Sequence, residues 1–281
     1  MKITDISLYS SGVETISFGM RDLDPSARFV IRDITGLDAE DLIPVFYGVG
    51  IQSNAKFYQF AMKDREIVMR ITLNPLFKLD EDYSTIRDEL YKAISSSRSG
   101  LVTILFSSNG TAVAKASAHI TKFEGVYFTQ LPEVKITLSC DDPMFRAVAT
   151  TVLDPTQLKE TNPVIVSDGL STAPHGFSFK AKFVATSPTF TIQDDPSNPE
   201  WQFVVTPAGG FLVNDNLFFS SEKSQKYLYI DRAGVKTHLM DKVAPTSIWP
   251  LIFPGTNSFI IPEISKIDWV YLEFDAAYWG V

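Results

Sequence analysis

The chain has 281 residues, 33 acidic against 25 basic side chains, a formal charge of −8 and 45% hydrophobic residues, a balance that suits two medium domains or one large one with a real core. One cysteine, Cys140, excludes an intrachain disulfide or a cysteine zinc site, and His119, His175 and His238 stand too far apart for an HxxxH or HExxH pair. The acidity argues against general binding to the DNA backbone, no apolar run approaches the roughly 18–20 residues of a membrane span, and the polar start Met1–Ser10 carries no signal-peptide core.

Short alternating segments open the chain. Lys2–Tyr9 and Arg28–Thr35 read as strands, the second stopped by Gly36. Asp38, Glu40 and Asp41, followed by Pro44, read as a turn with one helical turn. Lys56–Met62 and Glu66–Leu73 are predicted to pair across a polar turn, Lys63-Asp64-Arg65. The period then changes: Tyr83, Ile86, Leu90 and Ile94 recur at helical spacing, so a helix is predicted over about 82–97. Asp80, Glu81 and Asp82 precede it, where the helix dipole favours negative charge. Leu101–Phe106 and Thr111–Lys122 form a hairpin about Asn109-Gly110, because both residues tolerate positive φ. Asn109-Gly110-Thr111 also fits a glycosylation acceptor pattern, to which the absence of a secretory signal lends no support. Val134–Cys140 alternates cleanly.

Composition shifts between Thr151 and Pro163, the best candidate for a linker. Beyond it the pattern is all β: Gly176–Val184, Thr189–Ile192, Trp201–Val205, Phe211–Phe219, Lys226–Asp231, Val235–Met240, Ser258–Pro262 and Trp269–Tyr278. Gly- and Pro-rich turns separate these segments, as in a jelly-roll sandwich.

Acidic clusters are the natural catalytic suspects. Asp22 with Asp24, Asp80-Glu81-Asp82, Asp141-Asp142 and Asp194-Asp195 each have the composition of a carboxylate pair or a Ca²⁺ ligand set. The plainer reading assigns them to a helix start and to turns beginning Asp142-Pro143 and Asp195-Pro196. The patterns GxSxG, GxGxxG and the P-loop are absent. His119 and His238 fall in predicted strands, and Cys140 ends an apolar strand face as a buried thiol. Trp201, Trp249, Trp269 and Trp279 all lie in the second half, where they either stack on sugars or fill a core or interface.

Several short motifs occur in a telling order. Ile34-Thr35-Gly36-Leu37 precedes the strand Met69-Arg70-Ile71-Thr72-Leu73; a later strand runs into Ser139-Cys140-Asp141-Asp142-Pro143-Met144-Phe145. Pro254-Gly255-Thr256-Asn257 precedes a final alternating strand with Tyr271, Phe274 and Tyr278. In this order and domain plan the chain resembles the distal tail protein family of long-tailed bacteriophages. It departs from the pattern at Pro188–Pro207, a stretch rich in Asp, Pro and Asn.

The resemblance implies a mostly β protein. Residues 1–152 would form a ring-building, sandwich-like β-domain with one α-helix, 153–163 a linker, and 164–281 a galectin-like or jelly-roll β-sandwich. It further implies a non-enzymatic hub at the virion tail tip, assembled in the host cytoplasm: a homohexameric ring with a DNA channel. Partners would be the tail tube protein, the tail tip protein and receptor-binding or side-fibre proteins. No membrane or specific nucleic-acid partner, no cofactor, and no catalytic, cofactor-binding or metal residues are expected; Leu37 and Asp142-Pro143-Phe145 would be fold markers. The net charge suits a conduit that repels passing DNA. Two other readings compete: a module recognising host glycans and, behind it, a polysaccharide-degrading enzyme whose paired carboxylates leave no sequence signature.

Overall fold

Strict alternation makes the central strands. Along Arg65–Leu73, every second residue is buried, which is the mark of a strand with one face on a core. The computed structural model describes residues 3–20, 27–38, 42–47, 56–74, 82–97, 100–126, 132–153, 163–195, 200–222 and 225–281. The chain divides into two compact units, Met1–Val148 with Tyr278–Val281, and Ala149–Ala277.

The first unit contains β1 (Asp5–Ser10), β2 (Val13–Met20), β3 (Phe29–Thr35), β4 (Leu42–Tyr47), β5 (Lys56–Met62), β6 (Arg65–Leu73), α1 (Tyr83–Ser97), β7 (Val102–Ser108), β8 (Thr111–Val126), β9 (Glu133–Cys140) and the start of β10 (Phe145–Leu153). Seven strands close on themselves in the order β1-β2-β3-β6-β9-β8-β7, with β7 returning to β1. The expected sandwich-like domain is therefore a closed barrel-like sheet. Closure depends on β8, whose first half pairs with β7 and second half with β9. All contacts around the circuit are antiparallel except β2–β3. Closure leaves no free edge among these seven strands. β10 adds to β8 through Arg146 and Ala147, and β4 and β5 form a separate pair.

Ile6, Leu8, Phe18, Ile67, Met69, Ile71, Ile104, Phe106, Ile136 and Leu138 are wholly buried in the first core. The helix lies against β1, β2 and β6. Its face Ile86, Leu90 and Ile94 is at most 3% exposed, worth about 1.5–3 kcal/mol per side chain. The cap is Asp82: its Oδ1 accepts from the Thr85 amide at 2.8 Å and from the Ser84 and Thr85 hydroxyls.

The second unit holds β11 (Val164–Asp168), β12 (Ser178–Phe183), β13 (Phe190–Gln193), β14 (Gln202–Val205), β15 (Asn216–Ser220), β16 (Tyr227–Arg232), β17 (Val235–His238), β18 (Gly255–Phe259) and most of β19 (Ile267–Tyr278). Five of them form an antiparallel sheet ordered β17-β16-β15-β12-β19. β11 pairs with β18, and β13 with β14. Reciprocal bonds between Gln193 and Ile260 join these two pairs. Both sets of strands supply one phenylalanine-rich core, with Phe179, Phe183 and Phe219 from the sheet and Phe190, Phe203 and Phe259 from the pairs. Phe183 and Phe211 stack at 4.4 Å and 9°.

Four strands escape the sequence pattern: β2, β4, β10 and β11. The segment ending at Pro44, read as a turn with helical character, includes the start of a strand in which Pro44 faces Phe60. Among the described residues only β5 pairs with β4, and a strand with one side free of ladder bonds tolerates a proline. The predicted strand Phe211–Phe219 begins only at Asn216, because Leu212–Asp215 turns. Of the predicted linker, 154–162 lies outside the described residues, as do Asp22, Asp24, Glu40, Asp41, Asp80 and Glu81.

Candidate functional site

Among the described residues, a buried arginine with four carbonyl partners sits where the sequence predicts a solvated turn. Arg65 opens β6 and is wholly buried. Its Nε donates to the carbonyl of Pro143, Nη1 to those of Gly36 and Asp38 at 2.6 and 2.7 Å, and Nη2 to that of Trp279 at 2.6 Å. The guanidinium lies 4.3 Å from the centre of the Phe145 ring. Arg65 thus binds together the Gly36-Leu37 turn, the Pro143–Phe145 corner and the chain's last residues. The amide of Val281 adds a bond to the carbonyl of Leu37. Spreading the charge over four carbonyls on a planar fork is what arginine does and lysine does not.

Asp142 anchors the same corner. It accepts from the Met144 amide and from Nε and Nη2 of Arg146, at 3.0 and 2.7 Å. The Asp142-Pro143 turn of the sequence reading is present, and its carboxylate is engaged in holding it.

Of the three histidines, two lie on the surface. His119, on β8, is 3.5 Å from Asp141, and both side chains are about half exposed. His238 ends the exposed edge strand β17. His175 is different. It is buried between the Gly176 carbonyl, 2.9 Å from Nδ1, and Asp168 Oδ2, 2.8 Å from Nε2, and it stacks on Phe274 at 5.1 Å. Burial raises the Asp168 carboxyl, but the Ser171 hydroxyl, His175 and the Ser171 amide outweigh it and hold it below its ordinary value. Ser171 Oγ accepts from the Ala277 amide. Both imidazole nitrogens face oxygen acceptors, so this trio fixes the 168–177 segment and presents no base to a nucleophile. Sequence reading missed Asp168 because the pairing spans a turn with no motif.

A second buried carboxylate, Asp215, takes a bidentate grip from Arg232 at 2.8 and 2.7 Å and accepts from the Leu212 amide. Burial raises it, while Arg232 and the Leu212 amide bring it below the usual range. Asp194 accepts from the Trp201 amide at 3.4 Å. Among the described residues, no group of three His, Cys, Asp or Glu side chains is placed to hold a metal ion. Cys140 is buried at the end of β9, opposite Arg65 and Ala118.

Trp201 and Trp249 pack on the second core, Trp249 stacking on Phe219 at 5.3 Å and 14°. An open cavity of about 470 Å³ lies beside β16 and β17, lined by Ile230, Arg232, Val235, Thr237 and Leu239 among others. A shallower one of about 400 Å³ adjoins it at Pro207, with Ser187, Gly210 and Phe211. No helix among the described residues is long and apolar enough to cross a membrane.

Among the described residues, a closed seven-strand barrel with one α-helix and a phenylalanine-cored β unit make up the two units of a mostly β protein. No family model matches the chain, and no curated protein sequence matches it. Its fold is shared with a solved structure, the Dit protein (gp 19.1) of phage SPP1, a paradigm of the hub adsorption apparatus in phages infecting Gram-positive hosts. The TM-score is 0.63 at 12% identity, over 97% of this chain and 98% of that one. A chain of the phage P2 baseplate, in its activated conformation with calcium, aligns over 99% of both chains at 10% identity and a TM-score of 0.48. The same baseplate with strontium gives 0.46.

Proposed function

We propose that this chain is the repeating subunit of a structural hub at the distal end of a phage tail, of the distal tail protein family. The carrying observation is the fold shared with the SPP1 hub protein along nearly the full length of both chains, both units included. In this reading residues 1–152 build a homohexameric ring and 153–163 link it to residues 164–281, a galectin-like sandwich. The ring leaves a channel for DNA, and the net charge of −8 keeps phosphate from adhering to the conduit. The tail tube protein and the tip protein dock on the ring's two faces, receptor-binding or side-fibre proteins dock further out, and the protein resides in the virion tail tip. The role is structural and non-enzymatic. Supporting it, the buried polar groups Arg65, Asp168 and Asp215 are engaged in holding turns and strand ends.

Light scattering for mass, with negative-stain imaging, tests the ring. A mass of six subunits and six-fold images are expected; a monodisperse monomer at high concentration overturns the hexamer. In the competing reading, glycan recognition through tryptophan, Trp201 and Trp249 are partly buried and pack one side against the second core.

A further inference from the structure

The outward face of the five-stranded sheet carries a row set by register alone. Tyr271 on β19 lies opposite Lys180 on β12, Lys180 opposite Phe218 on β15, Phe218 opposite Tyr229 on β16, and Tyr229 opposite His238 on β17. Their neighbours one residue away, such as Phe179, Phe219, Ile230 and Leu272, fill the core. The period of two therefore places the row on the far side of the sheet.

This face has its own internal order. Phe218 and Tyr229 stack at 4.8 Å and 12°, and Tyr227 lies 5.8 Å from Tyr229. Lys180 Nζ sits 4.8 Å over Tyr271, and Lys236 Nζ sits 5.3 Å over Tyr229. The rings are half-buried and so form an aromatic ridge that meets solvent. Lys182 stands on the same face, opposite Asn216. Among the described residues no carboxylate lies within ion-pair distance of Lys180, Lys182 or Lys236. Three acids share this face by the same period: Asp231, opposite Lys236 on β17, accepts from the Gly234 amide at 2.8 Å, Glu273 from the Tyr271 hydroxyl of the ridge at 2.9 Å, and Asp275 from the Thr150 hydroxyl at 2.6 Å. In a chain of net charge −8, three lysines beyond ion-pair distance of every described carboxylate flank one aromatic ridge.

We propose that this sheet face binds an acidic polysaccharide, with sugar rings along Tyr271, Phe218 and Tyr229 and carboxylates meeting Lys180, Lys182 and Lys236. The ridge favours a carbohydrate over a bare polyanion, because it offers apolar area between polar tips. The lysines favour an acidic sugar over a neutral one, by charge complementarity. The site needs one subunit only, so it stands apart from ring formation.

Calorimetric titration of the full chain tests it, with galacturonate, hyaluronate and heparin oligosaccharides against maltotriose and tripolyphosphate. Binding to at least one acidic oligosaccharide is expected. It should weaken about tenfold in Lys180→Gln/Lys236→Gln, survive in the double Lys→Arg variant, and be lost in Tyr229→Ala. Lys236 is exposed, so Lys236→Gln alone reports on charge without disturbing the sheet. Silence with all three acidic oligosaccharides overturns the proposal. So does maltotriose binding equally well, or tripolyphosphate binding that ignores Tyr229→Ala. Lysines shielded from amine-reactive reagent by self-association would reveal a protein interface there instead.

Discussion

The guanidinium of Arg65 lies 4.3 Å from the centre of the Phe145 ring, and the two residues sit 80 positions apart at a place where three chain segments meet. Four carbonyls, from Gly36, Asp38, Pro143 and Trp279, depend on this one side chain. Arg65→Met keeps the volume and strands these acceptors in a buried site. It should destabilise the first unit by on the order of 3–5 kcal/mol, and Arg65→Lys, with fewer donors, should recover only part. Urea unfolding followed by a probe in the first unit checks this, and wild-type stability in Arg65→Met would refute the junction.

Gly36 and Gly234 share a φ of +86° and differ in surroundings. A Cβ on Gly36 would lie 2.1 Å from the backbone oxygen of Glu66, whereas one on Gly234 meets nothing within 4 Å. Gly234→Ala should therefore cost only the conformational term, about 1–2 kcal/mol, and Gly36→Ala clearly more, because backbone must move. Paired thermal melts rank the two, and equal losses would count against the close approach of β3 to β6.

Asp82 is held down to about 2 by the Thr85 amide, then by the Ser84 and Thr85 hydroxyls. A depressed folded-state value means that the cap is fully present above the ordinary 3.8 and fades as pH falls towards about 2. Asp82→Ala should speed hydrogen exchange at Thr85 and Ile86, while Asp82→Asn keeps most of the protection. Unchanged exchange in the alanine variant would show that packing alone holds the first turn.

Asp168 obeys the same sign in a buried setting. Its carboxyl is lowered in the folded unit, so its contribution is complete above 3.8 and is lost as pH falls through the depressed folded value. The second unit should lose melting temperature on that acid limb, and Asp168→Asn should flatten the slope while lowering stability at pH 7. A variant with the wild-type slope would point to other carboxylates.

Cys140 reports on the barrel. Its thiol is 1% exposed and its strand is paired on both sides, to β6 and β8. Labelling by a thiol reagent should be slow in the native protein and keep pace with unfolding of the first unit. Rapid labelling without denaturant would mean that the barrel opens at β9.

The helix, the Asn109-Gly110 hairpin and most strands of the second unit were legible because alternation, helical spacing and turn chemistry are local properties. Where they failed, the competing force was tertiary. β4 tolerates Pro44 because, among the described residues, only β5 pairs with it, and Arg65 looked like a turn residue because its partners lie up to 214 positions away. The buried Asp168–His175 pair was equally silent, since neither residue type nor spacing distinguishes a packed pair from a loop pair.

By itself, then, the sequence determined a mostly β protein with an acidic balance and one segment of helical period, Tyr83 to Ile94. Only the tertiary structure decided that the first part closes into a barrel. Closure is a matter of register between β8 and both β7 and β9, and no local pattern encodes which strands meet. It also decided that the turns around Gly36 and Pro143 converge on one buried arginine, and that a row of aromatic and basic residues faces outward across five strands. Those relations come from pairing distant segments, where burial and hydrogen bonding act on neighbours in space rather than in sequence.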